Sequence, residues 1–302
     1  MFSEPILKAF EADTGIRVDA VYDVEASKTI GLVNRLIAEK DKPLCDVFWN
    51  NEIVQTIRLA GMELLERYKS PNARDLPEAF RHPDGLWTGF AARARAIIYN
   101  RDKIAEADVP RSIRQWGEDA RYSGRFAVAS PLFGTTSSHA AAMLAKWGRE
   151  NLQSLYAEWI DNEAAVLAGN GTVKNEVADG RYEFGLTDTD DIFSAMDDGK
   201  PVGMLFPVEG LLIPNSVALI AGAPHPEAAR RLIDYILRPE TEEALAHAVS
   251  GQIPLRENIA RPSRVPAADE VNDIGVDWSK AARLTEEAGQ LTNEFLARAN
   301  RP

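Results

Sequence analysis

Ile6, Leu7 and Phe10 recur at helical spacing, with Ser3 placed to cap and Glu4-Pro5 in the first turn; Thr14-Gly15 stops this helix. Residues 16–22 then alternate between apolar and polar and predict a strand. Ser27 is placed to cap a helix that runs through Ile30, Val33, Leu36 and Ile37. Residues 45–49 predict a short buried strand ending at Asn50-Asn51-Glu52, followed by a helix over 53–67. This strand–helix rhythm predicts a parallel sheet with right-handed crossovers. Residues 86–99 are strand-rich. The rhythm then returns, with a strand over 125–129, a loop over 131–138 that opens a long helix, and a strand over 182–186. Residues 211–220 read as a strand despite Pro214, and helices are predicted over 226–237, 240–249 and 277–299.

The 302 residues suit two lobes rather than one minimal domain. Hydrophobic residues make 45% and charged residues 26%, globular values. No apolar run approaches the roughly 20 residues of a membrane helix. A formal charge of −12, with no segment rich in Lys and Arg, argues against a nucleic-acid partner. Cys45 is the sole thiol, which excludes an internal disulfide and a cysteine zinc cluster; the four histidines lack metal-ligand spacing.

In open α/β sheets, ligands lie beyond the carboxyl ends of the strands. One such end is Asn50-Asn51-Glu52, where Glu52 is equally a first-turn helix acid. A second is Gly134-Thr135-Thr136-Ser137, where a glycine and small hydroxyl residues open a helix and expose backbone N–H groups to an anion, or merely cap it. No Gly-Lys-Ser/Thr follows, so this is not a nucleotide P-loop. The third, Asp188-Thr189-Asp190-Asp191, suits a cation or an amine, or else serves its own helix dipole. Arg93 and Arg95 alternate in a strand and share a face, as site cations or as surface charges. No nucleophile elbow, zinc-protease motif or dinucleotide fingerprint is present. The enzyme alternative therefore reduces to acid–base work by Asp190 and Asp191.

Residues 7–18 (LKAFEADTGIRV), 46–49 (DVFW) and 85–100 (GLWTGFAARARAIIYN) resemble the bacterial extracellular solute-binding proteins, in their ferric-ion-binding branch. The likeness continues through Asn170, Gly180, Glu183 and residues 226–245, covering about residues 5 to 260. It implies a type II periplasmic-binding-protein fold: two α/β lobes, residues 1–95 with 212–262 and residues 96–211, joined by crossing strands near 93–101 and 207–220, with ligand in the cleft. Residues 263–302 would form a helical tail on the lobes. It further implies a monomeric periplasmic component of an ABC importer that delivers its solute to an inner-membrane permease and catalyses nothing. Met1 leads straight into the first helix, so by this resemblance an export signal and an opening strand are expected upstream.

Carried over residue by residue, the family's anion-contacting loop matches Gly134, Thr135 and Thr136, and a further anion contact matches Asn170. An acidic iron ligand matches Asn51, with Glu52 beside it, and the paired tyrosine ligands match Asp190 and Asp191. Carboxylates are hard donors that suit iron(III), so Asp190, Asp191 and Glu52 are candidate metal ligands. Phenolates are missing while the anion half survives. That balance favours a phosphate- or phosphonate-bearing solute, whose amine, if it has one, would meet Asp190, Asp191 or Glu52.

Overall fold

A computed structural model describes residues 3–23 and 30–299. In chain order the elements are α1 (Glu4–Thr14), α2 (Ile30–Ala38), β1 (Val47–Asn50), α3 (Val54–Gly61), β2 (Leu65–Glu66) and β3 (Thr88–Asn100). There follow α4 (Gln115–Glu118), β4 (Phe126–Ala129), α5 (Gly134–Trp147), α6 (Arg149–Asp161), β5 (Ala165–Leu167), α7 (Asn170–Ala178), β6 (Phe184–Asp188) and α8 (Thr189–Asp197). The chain closes with β7 (Val202–Leu205), β8 (Leu211–Ile220), α9 (Pro226–Ile236), α10 (Pro239–His247), α11 (Trp278–Arg283) and α12 (Thr285–Ala299).

The chain divides into two compact α/β units, Met1–Ala92 with Pro214–Pro266 and Arg93–Ile213 with Ala267–Pro302. Strands β3 and β8 each contain one of the chain's passages between units.

In the first unit, β1 and β2 both pair antiparallel with β8, Trp49 facing Val217 and Leu65 facing Ile220. The parallel pairing expected here is therefore antiparallel instead, because the returning strand β8 runs against both β1 and β2. The helix expected over 53–67 ends at Gly61. The chain reverses through Glu63 at φ +60° and β2 joins the sheet instead. Residues 16–22 form no ladder among the described residues: Val18 N–H is taken by the Glu11 carboxylate at 2.6 Å, and most of the segment's side chains stay exposed. Ser3 makes no side-chain cap, and Ser27 lies outside the described residues.

In the second unit, β4 pairs parallel with both β5 and β6, while β3 pairs antiparallel with β6 and β7. Ala96, Ile98, Ala127, Val173, Val177 and Ile192 are buried together between the sheet and its helices. A Cβ on Gly185 would stand 2.7 Å from both the Ala127 carbonyl oxygen and Val173 Cγ1, so glycine there lets α7 lie close on the sheet. The tail helices α11 and α12 pack against α5, with Phe295 stacked on Tyr156 at 4.4 Å between ring centroids. No helix of the described residues is long and apolar enough to cross a membrane.

Candidate functional site

Because β4, β5 and β6 are parallel neighbours, their carboxyl ends share one edge of the second unit's sheet, and α5, α7 and α8 all start from that edge. The residues before these helices, Phe133, Gly169 and Asp188, make no side-chain cap. Three helix N-termini thus bring positive partial charge to one place.

Asp188, 2% exposed, stands at the centre of this edge. Its Oδ1 accepts from Arg95 Nη1 at 2.6 Å, and its Oδ2 accepts from Asn170 Nδ2 at 2.9 Å and from Thr135 Oγ1 at 2.5 Å. Asn170 also donates to Thr135 Oγ1 at 3.0 Å and accepts from Arg95 at 3.1 Å. The sheet register explains the ion pair: Arg95 and Asp188 are direct cross-strand partners of β3 and β6. Two residues earlier on the same face of β3, Arg93 reaches Asp190 Oδ2 at 3.1 Å. Arg93 and Arg95 are 8% and 1% exposed, so these are buried ion pairs rather than surface charges. Thr189 Oγ1 accepts from the Ala94 N–H at 3.2 Å and ties the start of α8 to β3.

Asp190 and Asp191 complete the cluster: one oxygen from each of Asp188, Asp190 and Asp191 lies within 4.8 Å of the others. Thr187 Oγ1 donates to Asp191 Oδ2 at 3.0 Å. Burial raises the Asp190 pKa against the pull of Arg93. Burial, with Asp190 and Asp188 close by, pushes Asp191 up to about 7. Burial would lower the Arg93 pKa, but the three carboxylates outweigh it and leave the guanidinium more basic than usual. Among the described residues, two guanidiniums therefore face three carboxyl groups, and Asp191 is the one with no ion pair of its own. Behind Arg95, a cavity of about 20 Å³ is lined by Thr136, His139 and Tyr156 among others. His139 is buried, and burial followed by the nearby Arg95 charge holds its pKa well below the usual histidine range.

The structure thus brings together Thr135, Asn170, Asp188, Asp190 and Asp191 of the expected residues. Gly134, at φ +55°, makes the turn into α5. Thr136 gives its hydroxyl to the Phe133 and Ser130 carbonyls at 2.7 and 3.1 Å, and Ser137 N–H bonds the Phe133 carbonyl at 3.2 Å. Asn51 and Glu52 belong to the first unit. Asn51 is exposed, whereas Glu52 is 2% exposed and accepts from Val54 N–H, Gln55 N–H and Asn50 Nδ2 at 2.9, 3.1 and 3.2 Å. In this structure its carboxylate serves the start of α3, as a first-turn acid does. Thr189 lies within the third strand end expected from the sequence; Thr187, just before it, and His139, within α5, were not among the expected site residues.

Curated relatives include iron uptake protein A1 of Synechocystis, 24% identical over 93% of this chain and 82% of that protein. Among solved structures, iron-bound HitA from Pseudomonas aeruginosa matches with a TM-score of 0.86 at 21% identity, over 97% of this chain and 95% of that one. AfuA from Actinobacillus pleuropneumoniae, with fructose-6-phosphate bound, matches with a TM-score of 0.82 at 17% identity, over 100% and 96%. The model of the bacterial extracellular solute-binding protein family matches residues 6–272, nearly the whole described fold, and the chain belongs to that family.

Proposed function

We propose that this protein is the periplasmic solute-binding component of an ABC importer, and that its second unit takes a hard cation, with ferric iron the favoured cargo. The carrying observation is the surplus carboxylate: Asp190 and Asp191 stand beside Asp188 with their oxygens within 4.8 Å, and among the described residues two guanidiniums pair with the three. Clustered carboxylate oxygens suit hard cations. The iron named in the Synechocystis relative and the Pseudomonas structure agrees with that donor set. Capture asks for no bond making in the solute. No side chain is accordingly given a catalytic role, and turnover of a bound solute would restore the enzyme alternative.

A phosphate- or phosphonate-bearing solute is the second reading. It is favoured by the uncapped N-termini of α5, α7 and α8 and by the sugar phosphate held in the AfuA structure. A thermal-shift screen with ferric citrate, inorganic phosphate, aminoethylphosphonate and hexose phosphates separates the two, because a ligand that prefers the native state raises its melting temperature. Ferric citrate is expected to raise the melting temperature, and citrate alone is not. A shift with a phosphate compound and none with iron replaces the first reading by the second.

A further inference from the structure

We propose that Asp188 is a resident anion: its carboxylate takes the Thr135, Asn170 and Arg95 side-chain donors at the edge where α5, α7 and α8 begin, so the protein takes its cation without a phosphate partner. This deepens the cation reading of the same site and rests on it. Of the residues expected to meet an anion, Gly134, Thr135, Thr136 and Asn170, Thr136 gives its hydroxyl to the Phe133 and Ser130 carbonyls, and two offer side-chain donors to the edge, the Thr135 hydroxyl and the Asn170 amide. Both point at Asp188 Oδ2, at 2.5 and 2.9 Å, while Arg95 holds Oδ1 at 2.6 Å. The group they surround carries one negative charge, is almost wholly buried, and is covalently part of β6.

The consequence is steric and electrostatic together. A phosphate oxygen brought to Thr135 and Asn170 would displace Asp188 from its donors and set two anions side by side, next to Asp190 and Asp191. A site with a free place for phosphate would instead leave those donors open. A carboxylate fixed by the fold also loses no translational freedom when the cation arrives, so the anionic side of the site is preorganised. Asp188 is in this sense a specificity-determining residue: it makes the edge reject anions that three helix N-termini alone would attract.

The test uses the full chain and inorganic phosphate as probe, read by titration calorimetry and by melting temperature. The wild type is expected to show no phosphate binding in the millimolar range. Asp188→Asn removes the charge, keeps the shape, and leaves Arg95 in need of an anion. Phosphate affinity should then rise at least about tenfold, the weight of one charge-assisted hydrogen bond. A wild type that binds phosphate as well as Asp188→Asn overturns the proposal, as does a folded Asp188→Asn with no gain. Should that variant not fold, Thr135→Val decides. Silence toward phosphate in both wild type and Thr135→Val, with a lower melting temperature in the latter, supports the resident anion. A phosphate response in the wild type that Thr135→Val removes refutes it. Iron plays no part in these measurements, so failure to bind iron would sink the cargo reading while leaving the Asp188 result to be judged separately.

Discussion

Replacing Asp191 by Asn should make the ligand-free protein more stable at neutral pH while impairing cation capture. The Asp191 carboxyl is pushed from an ordinary value of 3.8 up to about 7 by burial and by Asp190 and Asp188. A native pKa above the unfolded one means that the unfolded chain ionises first as pH rises. Stability is therefore lost progressively between about pH 4 and pH 7, and the loss is constant above that. Some three units at about 1.36 kcal/mol each set a ceiling of about 4 kcal/mol. Asp191 retains some solvent exposure and accepts from Thr187, so about 2 kcal/mol is the working figure. Asn keeps an acceptor for Thr187 and nearly the same volume. At about 2–4 °C per kcal/mol for a unit of this size, Asp191→Asn should melt about 4–8 °C higher at pH 8 and level with wild type near pH 4. Scanning fluorimetry of both proteins across that range, in metal-free buffer, gives the answer. A difference that does not change with pH, or a variant that melts lower at pH 8, refutes the electrostatic reasoning.

His139 acts in the opposite direction. Its native pKa is held well below 6.5, so below that pH the unfolded chain takes a proton that the native chain refuses. Stability should fall by up to about 1.4 kcal/mol per pH unit, and the melting difference between wild type and His139→Asn should shrink as pH drops from 7 to 5. A pH-independent difference counts against a buried neutral ring. Gly210→Ala should cost about 2 kcal/mol or more, because the new Cβ would stand 1.9 Å from the Val271 carbonyl oxygen. A denaturation midpoint equal to that of wild type would contradict this packing. Iron loading should give no red phenolate charge-transfer band, since aspartates stand at 190 and 191 where the branch carries tyrosines. A strong visible band would show that a tyrosine reaches the metal.

Much of the fold was legible because the periodicity is clean where packing is simple. The buried strands at 126–129 and 184–188 and the helices from Pro226 and Pro239 lie within a few residues of their expected places. The pattern failed where a tertiary partner decides. Residues 16–22 alternate like a strand yet pair with nothing described, and residues 64–67 continue a helical pattern although β8 recruits Leu65 and Glu66 into the sheet. The continuous tail helix is split at Leu284, where 3₁₀-type bonds close α11 before α12 begins. At the site, the strand ends pointed to Thr135 and the three aspartates, and only the family resemblance pointed to Asn170. Sequence could not tell that Thr135 and Asn170 face Asp188 rather than a solute, because that depends on the register placing Arg95 opposite Asp188. Nor could it choose between site and surface for Arg93 and Arg95, a choice made by the sheet that buries both.

The most direct test of the central claim is a calorimetric titration of ferric citrate into metal-free wild type and into Asp190→Asn/Asp191→Asn. One iron should bind per wild-type chain, and the double variant should lose at least about a hundredfold in affinity. Equal iron affinity in the two proteins would contradict it.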